Sequence, residues 1–418
     1  MTTPSPVTGI SVADAQRMIS DTITPIDAPE LVDLRSALGR VLARDVVAPI
    51  NVPAHDNSAM DGYALRGADL ATGGTLELNI VGLALAGKAW SGKVARGECV
   101  RIMTGAVMPT DCDTVIPQEF TLSATDEKIT LRADAVRPGE NRRHAGEDLA
   151  RGKVAVASGR VLRPAELGLL ASLGIAEVTV QRRLRVAFFS TGDELCSPGE
   201  PLTPGCVYDS NRSTIHGMLT RVGCEAIDLG IVADDPAALR AALLRGGELG
   251  ADAIITSGGV SVGEADYIRQ MMTQMGDVTF WKLLMRPGRP LAFGRIDVGG
   301  RQACLFGLPG NPVAAMVGFY FFVREALLRM MGAQIVPLPL MRAQSVEAIR
   351  KKPGRTEYQR GILSIDEQGN VSVRITGSQG AGILRSMSEA NCIVVLAHEQ
   401  ANIDAGDSVS VLLFDGLC

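Results

Sequence analysis

Aromatic residues make up only 4% of this 418-residue chain, and it contains no long Lys/Arg run, no C-x-x-C pair and no Cys/His cluster. Each absence removes a class of function. A nucleic-acid partner demands a basic face, whereas the formal net charge is −5, so nucleic-acid binding is set aside. The eight cysteines, at positions 99, 112, 196, 206, 224, 304, 392 and 418, are scattered, which leaves no spacing for a zinc or iron–sulfur site. His55 and His144 stand apart from other ligand-type residues and read as ordinary polar groups, and no Ser-His-Asp or Cys-His arrangement can be assembled from chain order. The longest apolar stretch, Val313–Val323, is stopped by Arg324-Glu325. It is too short to span a bilayer and reads as a buried helix, so no membrane association is expected. No basic-then-apolar pattern opens the chain, and with unpaired cysteines this favours a reducing, cytoplasmic location. Neither an internal repeat nor a low-complexity tract is present.

What remains is the composition of a soluble globular protein, 46% hydrophobic and 21% charged. A single core stops growing at roughly 250–300 residues, so several domains are expected. Residues 11–23 read as a helix capped by Ser11, with Val12, Ala15 and Ile19 on one face. Ser36–Ala43 reads as another. From Ala48 to about Asp148 the runs Leu76–Val81, Cys99–Met103, Thr114–Gln118 and Lys128–Leu131, broken by Gly, Pro and Asp, predict a small β-rich domain. Lys153–Val156 follows, then a helix over Pro164–Leu173 closed by Gly174. Strands and helices alternate between Arg182 and Met331, the pattern of a parallel sheet with covering helices. One helix there starts with Asp234 or Asp235 as cap and Pro236 in its first turn, and another starts at Asn311-Pro312. The tail returns to short strands, Gly361–Ile365, Val371–Ile375, Cys392–Leu396 and Ser408–Phe414, expected to form a compact barrel or sandwich.

Three glycine-broken segments each follow a short apolar run: Ser190–Glu194, Ser257–Asp266 and Gly307–Pro312. If Arg185–Phe189, Ala251–Thr256 and Ala303–Phe306 are neighbouring parallel strands, their carboxyl ends open into a common crevice, the usual ligand position in open α/β folds. Asp193, Glu194, Asp234, Glu264 and Asp266 all fall just beyond these predicted strands. Oxygen donors of this kind suit Mg²⁺, which takes one or two carboxylates together with phosphate oxygens and water. For Asp234 and Asp235, helix capping is an equal reading. The glycines of Ser257–Gly263 match neither the dinucleotide fingerprint nor the lysine-bearing phosphate loop.

Positive charge comes from Trp281–Pro290, where alternation places Lys282, Leu284 and Arg286 on one strand face, with Arg289 following. Guanidinium groups match phosphate and other tetrahedral oxyanions through paired hydrogen bonds. The plainer alternative is a solvated edge strand. Gly377–Gly382 reads as a turn in the tail. In the β-rich region, Pro53–Ala64 and Arg101–Ala106 are polar and elaborate, as functional loops are, although turn chemistry alone accounts for each.

Taken together, DNSAMDGYA, RIMTGA, STGDEL, YDSNR (Tyr208–Arg212), SGGVSVGEAD, WKLLMRPGRPLAFG and GLPGNPV resemble the molybdopterin molybdenumtransferase family, the MoeA-type enzymes to which the gephyrin E domain is similar. That resemblance implies a multidomain α/β and β protein. Residues 29–47 and 149–181 would form an elongated linking domain, 48–148 a β-rich insertion domain, 1–28 and 182–332 a parallel-sheet α/β molybdopterin-binding domain, and 333–418 a C-terminal β-barrel domain. It implies insertion of molybdate into adenylylated molybdopterin with Mg-dependent release of AMP, in a homodimer whose active cleft is shared between subunits. Further partners implied are the molybdopterin adenylyltransferase and acceptor molybdoenzymes.

The resemblance assigns catalytic roles to Asp61, Thr104, Glu194, Asp234, Asp266 and Lys282, and the acidic loops as read from the residues fit magnesium on Asp193, Glu194 or Asp266. Substrate or anion binding falls to Ser257, Gly258, Gly259, Ser261, Arg286, Arg289, Pro309, Gly310, Asn311, Pro312 and Arg360. Many members carry lysines where this chain has Arg286 and Arg289, and some carry a hydroxyl where it has Ala381. Two other readings compete: a pterin-binding scaffold of the gephyrin type, and a nucleotide or pyrophosphate hydrolase on the same α/β fold.

Overall fold

The computed structural model describes residues 9–72, 74–259 and 266–417. Two compact units divide the chain: one runs up to Glu30, takes in Gly39–Ala43 and resumes from Val180 onward, and the other comprises Leu31–Leu38 and Arg44–Thr179.

The second unit is built on a six-stranded sheet of β1 (Gly62–Leu65), β2 (Thr75–Ala84), β3 (Glu98–Ile102), β4 (Thr114–Pro117), β5 (Thr121–Ala124) and β6 (Lys128–Arg132), in the order β4-β1-β3-β2-β6-β5. Alternate residues such as Leu78, Ile129 and Leu131 are fully buried on one side, as period-two patterning requires. Towards the end of this unit lies the helix Pro164–Ser172, followed by Gly174 at φ +75°.

In the first unit, a helix over Val12–Thr22 is capped by Ser11, whose hydroxyl accepts from the Asp14 N–H, and it buries Val12, Ala15 and Ile19 as its spacing predicts. Ser36–Ala43 is not a helix. Only a single 3₁₀ turn, Arg35–Ala37, forms, and Gly39 at φ +73° redirects the chain. Arg40, 7% exposed, instead reaches Glu30 and donates to the Gln181 carbonyl at 2.7 Å, a tertiary contact that outweighs the helical propensity of the segment.

The α/β part carries β7 (Arg185–Thr191), β8 (Glu225–Val232), β9 (Ala253–Ser257), β10 (Gly276–Lys282), β11 (Pro290–Asp297) and β12 (Gln302–Leu308), in the order β8-β7-β9-β12-β11-β10. The first four in that order are mutually parallel. Strand β9 is buried along its whole length and β7 almost so, consistent with a sheet covered on both faces. Strand β11 is antiparallel to β12, and β10 to β11. Two reversals return β10 to the direction of the parallel set, so Lys282 ends at the same edge as Thr191, Val232, Ser257 and Leu308. Asp235 caps the helix Pro236–Glu248, accepting from the N–H groups of Ala237 and Ala238, which leaves Asp234 outside the cap. The apolar stretch after Asn311 is a helix over Pro312–Gly318 that continues through a wider turn, Phe319–Val323, into Arg324–Met330.

The tail forms a closed five-stranded barrel: β13 (Met341–Ser345), β14 (Thr356–Ile365), β15 (Val371–Ile375), β16 (Cys392–Leu396) and β17 (Ser408–Leu413), closed by pairing of β14 with β16. Met285-Arg286 extends this sheet beside Thr356-Glu357. Among the described residues no helix is long and apolar enough to cross a membrane.

Candidate functional site

The parallel register sets the site. Ser190 stands opposite Ser257, Ser257 opposite Leu308, and Thr191 opposite Val232, so the glycine and acidic segments that follow these strands start side by side. Gly258, at φ +102°, donates its N–H to the Leu308 carbonyl at 3.0 Å. A side chain there would drive a Cβ into the Thr191 carbonyl oxygen. Only glycine permits that backbone angle and that approach together.

Two acids distant in sequence meet at this edge. The Asp234 N–H donates to Asp193 Oδ1 at 3.3 Å, and the Thr191 hydroxyl donates to Asp234 Oδ1, also at 3.3 Å. Both carboxylates are exposed. Glu194, also exposed, folds back over its own turn, so a Cβ on Gly192 would lie 2.6 Å from Glu194 Oε2. These are hard oxygen donors of the kind Mg²⁺ takes. Among the described residues no three His, Cys, Asp or Glu side chains stand close enough to hold a metal by themselves. That donor set fits an ion that completes its shell with water and phosphate oxygens. Ser261 and Glu264 lie outside the described residues. Asp266 opens the helix Asp266–Met275, and its side chain is likewise outside the description.

Beneath the loops runs a buried polar layer that ties them to Tyr208–Arg212. Ser190 donates to Asp209 Oδ1 at 3.0 Å, and the Arg212 N–H donates to the same oxygen at 3.2 Å. Asn211 Nδ2 donates to Ser257 Oγ at 2.6 Å and to the Gly310 carbonyl at 2.7 Å. Ser190, Ser257 and Asp209 are at most 2% exposed and Asn211 8%. Motif reading weighed Asp209 and Asn211 only as part of a resemblance. The available signal was a run of polar residues leading into a helix with one apolar face, here Asn211–Val222, which buries Ile215, Met218 and Leu219.

Lys282 and Arg286 are exposed while Leu283 and Met285 between them are buried, so the alternation holds, although Lys282 belongs to the α/β sheet and Arg286 to the barrel sheet. Arg289 is exposed, Pro309 buried, Gly310 and Asn311 exposed and Pro312 half-buried. Arg360 is fully buried. Its guanidinium donates to Ser386 Oγ at 2.9 Å and to the carbonyls of Ser378, Gln379 and Gly380 at 3.4, 3.4 and 3.0 Å. None of these partners is charged. Burial, with the Arg286 charge adding to it, pulls the Arg360 pKa down to about 10, so the group stays cationic at neutral pH. The loop it holds is more than a turn in the tail: the Ala381 carbonyl accepts from the Val313 N–H at 3.0 Å, satisfying a first-turn donor of the Pro312–Gly318 helix.

In the β-rich unit, Asp61 and Thr104 are joined. Thr104 donates both its N–H and its hydroxyl to Asp61 Oδ1, each at 2.7 Å. Those bonds, the backbone one foremost, hold the Asp61 carboxyl below its ordinary range.

Three family models match the chain in order: the MoeA N-terminal region (domain I and II) over residues 10–174, the probable molybdopterin binding domain over 187–329, and the MoeA C-terminal region (domain IV) over 342–414. A molybdopterin molybdenumtransferase of Haemophilus influenzae is 41% identical, covering 93% of this chain and 94% of that protein. The chain belongs to the molybdopterin molybdenumtransferase family. Molybdopterin molybdenumtransferase 2 of Mycobacterium tuberculosis is 36% identical over 96% of this chain and 98% of its own. The crystal structure of a molybdopterin biosynthesis MoeA protein from Pyrococcus horikoshii superposes with a TM-score of 0.82 at 27% identity, covering 97% of this chain and all of that one. Asp193 and Asp234 follow, and Lys282 closes, strands that end at the same carboxyl edge, with Lys282 on the outermost strand at the other side of the sheet from Asp234, and all three lie in the stretch matched by the family's probable molybdopterin binding domain.

Proposed function

We propose that the chain inserts molybdate into adenylylated molybdopterin, cleaving the phosphoanhydride with Mg-dependent release of AMP and yielding molybdenum cofactor. Membership of the family makes it a molybdopterin molybdenumtransferase of molybdenum cofactor biosynthesis. The observation that carries the finer reading is the meeting of the Asp193 and Asp234 loops at the sheet edge where Lys282 also ends.

The residues divide the work by charge. Asp193 and Glu194, with Asp266, are the proposed magnesium ligands, and the ion would neutralise the diphosphate when bound. Lys282 and Arg289 hold phosphate oxygens, while Arg286, with the buried Arg360 charge adding to its own, draws the tetrahedral molybdate dianion. The backbone around Ser257, Gly258, Gly259 and Ser261, and around Pro309, Gly310, Asn311 and Pro312, shapes the substrate cradle. Asp234, hydrogen-bonded to Thr191, orients the reacting phosphoryl group. Fixed charges and positioning supply most of the acceleration in phosphoryl cleavage. Asp61 and Thr104 take part from a second copy of the chain in a homodimer. The finer division into a linking domain (29–47 and 149–181), a β-rich insertion (48–148), an α/β domain (1–28 and 182–332) and a barrel (333–418) belongs to the same reading. So does a cytoplasmic location, in keeping with free thiols such as Cys99 and Cys224, which burial pushes up to about 12.

The test is to give the purified protein adenylylated molybdopterin, molybdate and Mg²⁺ and to assay AMP and active cofactor. Both should appear, and both should be absent with Glu194→Gln. AMP no greater than in that variant rejects the proposal.

A further inference from the structure

Two thiols meet beside the proposed magnesium turn. Cys99, Cys112, Cys224, Cys304 and Cys392 are buried, whereas Cys196 and Cys206 are partly exposed, and a thiol reacts only where a reagent can reach it. Backbone pairing brings these two together. Leu195-Cys196 lies parallel to Val207-Tyr208, the Val207 N–H donates to the Glu194 carbonyl at 2.8 Å, and the Asp209 N–H donates to the Cys196 carbonyl at 2.9 Å. The thiols of Cys196 and Cys206 share a hydrogen bond, and Thr203 serves both: Cys196 bonds to it, and its hydroxyl donates to Cys206 Sγ at 3.1 Å. Among the described residues no third His, Cys, Asp or Glu stands close enough to make the pair a metal site. Glu194 precedes Cys196 by two positions, and its carbonyl is held by the residue that follows Cys206.

We infer that Cys196 and Cys206 form a redox-sensitive dithiol, which a peroxide converts to a disulfide that pulls on the Asp193-Glu194 turn and slows the reaction. The Cys206 thiolate, with the Thr203 hydroxyl donating to its sulfur, attacks one peroxide oxygen. The O–O bond breaks, Cys206 becomes a sulfenic acid, and the other oxygen takes up the thiol proton and leaves as water. The Cys196 sulfur then attacks the Cys206 sulfur, the S–S bond forms, and the sulfenic oxygen departs with the Cys196 proton as a second water. Two thiols thus lose two electrons and two protons, and one peroxide becomes two waters. Disulfides in a reducing compartment are usually transient and redox-sensing, a use that the partial exposure of this pair suits. A covalent bond draws the sulfurs closer than a hydrogen bond holds them, and the displacement passes to Glu194 along the backbone from Cys196 and through the Val207 N–H. The effect on turnover rests on the proposed roles of Asp193 and Glu194, whereas closure of the disulfide does not.

The experiment treats the full-length protein, reduced beforehand, with hydrogen peroxide, alkylates the thiols that remain, and maps tryptic peptides by mass while AMP release is assayed in parallel. The parent should yield a peptide holding both Cys196 and Cys206, unalkylated and lighter by two hydrogens, with AMP release about tenfold slower and restored by dithiothreitol. Cys196→Ser and Cys206→Ser should each release AMP at the rate of the reduced parent and keep that rate under the same peroxide. Absence of the linked peptide overturns the inference, and so does a link that leaves AMP release within about twofold of the reduced parent. Equal loss of activity in the serine variants also overturns it, because the damage then lies elsewhere. If the reduced parent releases no AMP at all, the proposed function fails instead, and the linked peptide still decides whether the dithiol closes.

Discussion

Asp193 and Asp234, separated by 41 positions in the chain, share a hydrogen bond in which the Asp234 N–H donates to Asp193 Oδ1 at 3.3 Å. It joins the turn after β7 to the turn after β8, so a charge placed on one turn is felt on the other. Asp193→Asn and Asp234→Asn should each slow AMP release at least tenfold, and the double substitution should cost less than the sum of the two. Both side chains are exposed, so unfolding free energy should move by no more than about 0.5 kcal/mol. Additive losses in steady-state assays would mean that the two acids act separately.

Gly258→Ala is expected to be severe despite adding one methyl. The φ of +102° disfavours any side chain, and the new Cβ meets the Thr191 carbonyl. Strain and displacement together should destabilise the protein by about 2–3 kcal/mol in urea unfolding and abolish AMP release. Normal stability with normal turnover would show that the loops can separate without harm.

Arg360→Met tests the buried cation. The substitution keeps an unbranched apolar stem but strands the carbonyls of Ser378, Gln379 and Gly380. Relief of charge burial offsets part of that cost, and a net loss of about 2 kcal/mol is expected. The loop carrying Ala381 should also become more open to proteolysis, because Arg360 no longer holds it against Val313.

Glu166 gives a pH test in the β-rich unit. Side-chain hydrogen bonding from Arg163 foremost, then from Arg160, lowers its pKa to about 2. Both arginines are partly exposed, so solvent screening reduces the contribution to about 1–2 kcal/mol. A depressed carboxylate pKa stabilises above the unfolded value of about 4.3 and loses that effect as pH falls through the folded value. Glu166→Gln should therefore be less stable than the parent at pH 7 and indistinguishable from it near pH 2. A difference that persists at low pH would assign the effect to packing instead.

Much of the architecture was legible because the physics behind it is local. Ser11 before an apolar-periodic run, Pro236 after Asp235, and short apolar runs ending in glycine and acid each announce an element boundary, and the carboxyl edge followed from the runs at Arg185, Ala251 and Ala303. Where contacts are distant, reading failed. Ser36–Ala43 has helical residues, yet Arg40 is claimed by Glu30 and Gln181. The strand Met341–Ser345 is defined by partners elsewhere in the barrel. Asn211 acts on residues 46 and 99 positions away, and nothing in the spacing of Tyr208–Arg212 reveals that. Full burial of Arg360 with no carboxylate partner among the described residues was equally invisible, because a lone arginine in a strand pattern reads as surface.

The central claim is that the Asp193 and Asp234 turns and Lys282 grip one metal-bridged diphosphate, and the Mg²⁺ dependence of AMP release in the parent, Asp193→Asn and Lys282→Ala tests it most directly. Asp193→Asn should raise the Mg²⁺ needed for half-maximal release about tenfold, whereas Lys282→Ala should raise the KM for adenylylated molybdopterin and leave the Mg²⁺ requirement unchanged. AMP release that ignores Mg²⁺, or that both substitutions leave intact, would contradict the account.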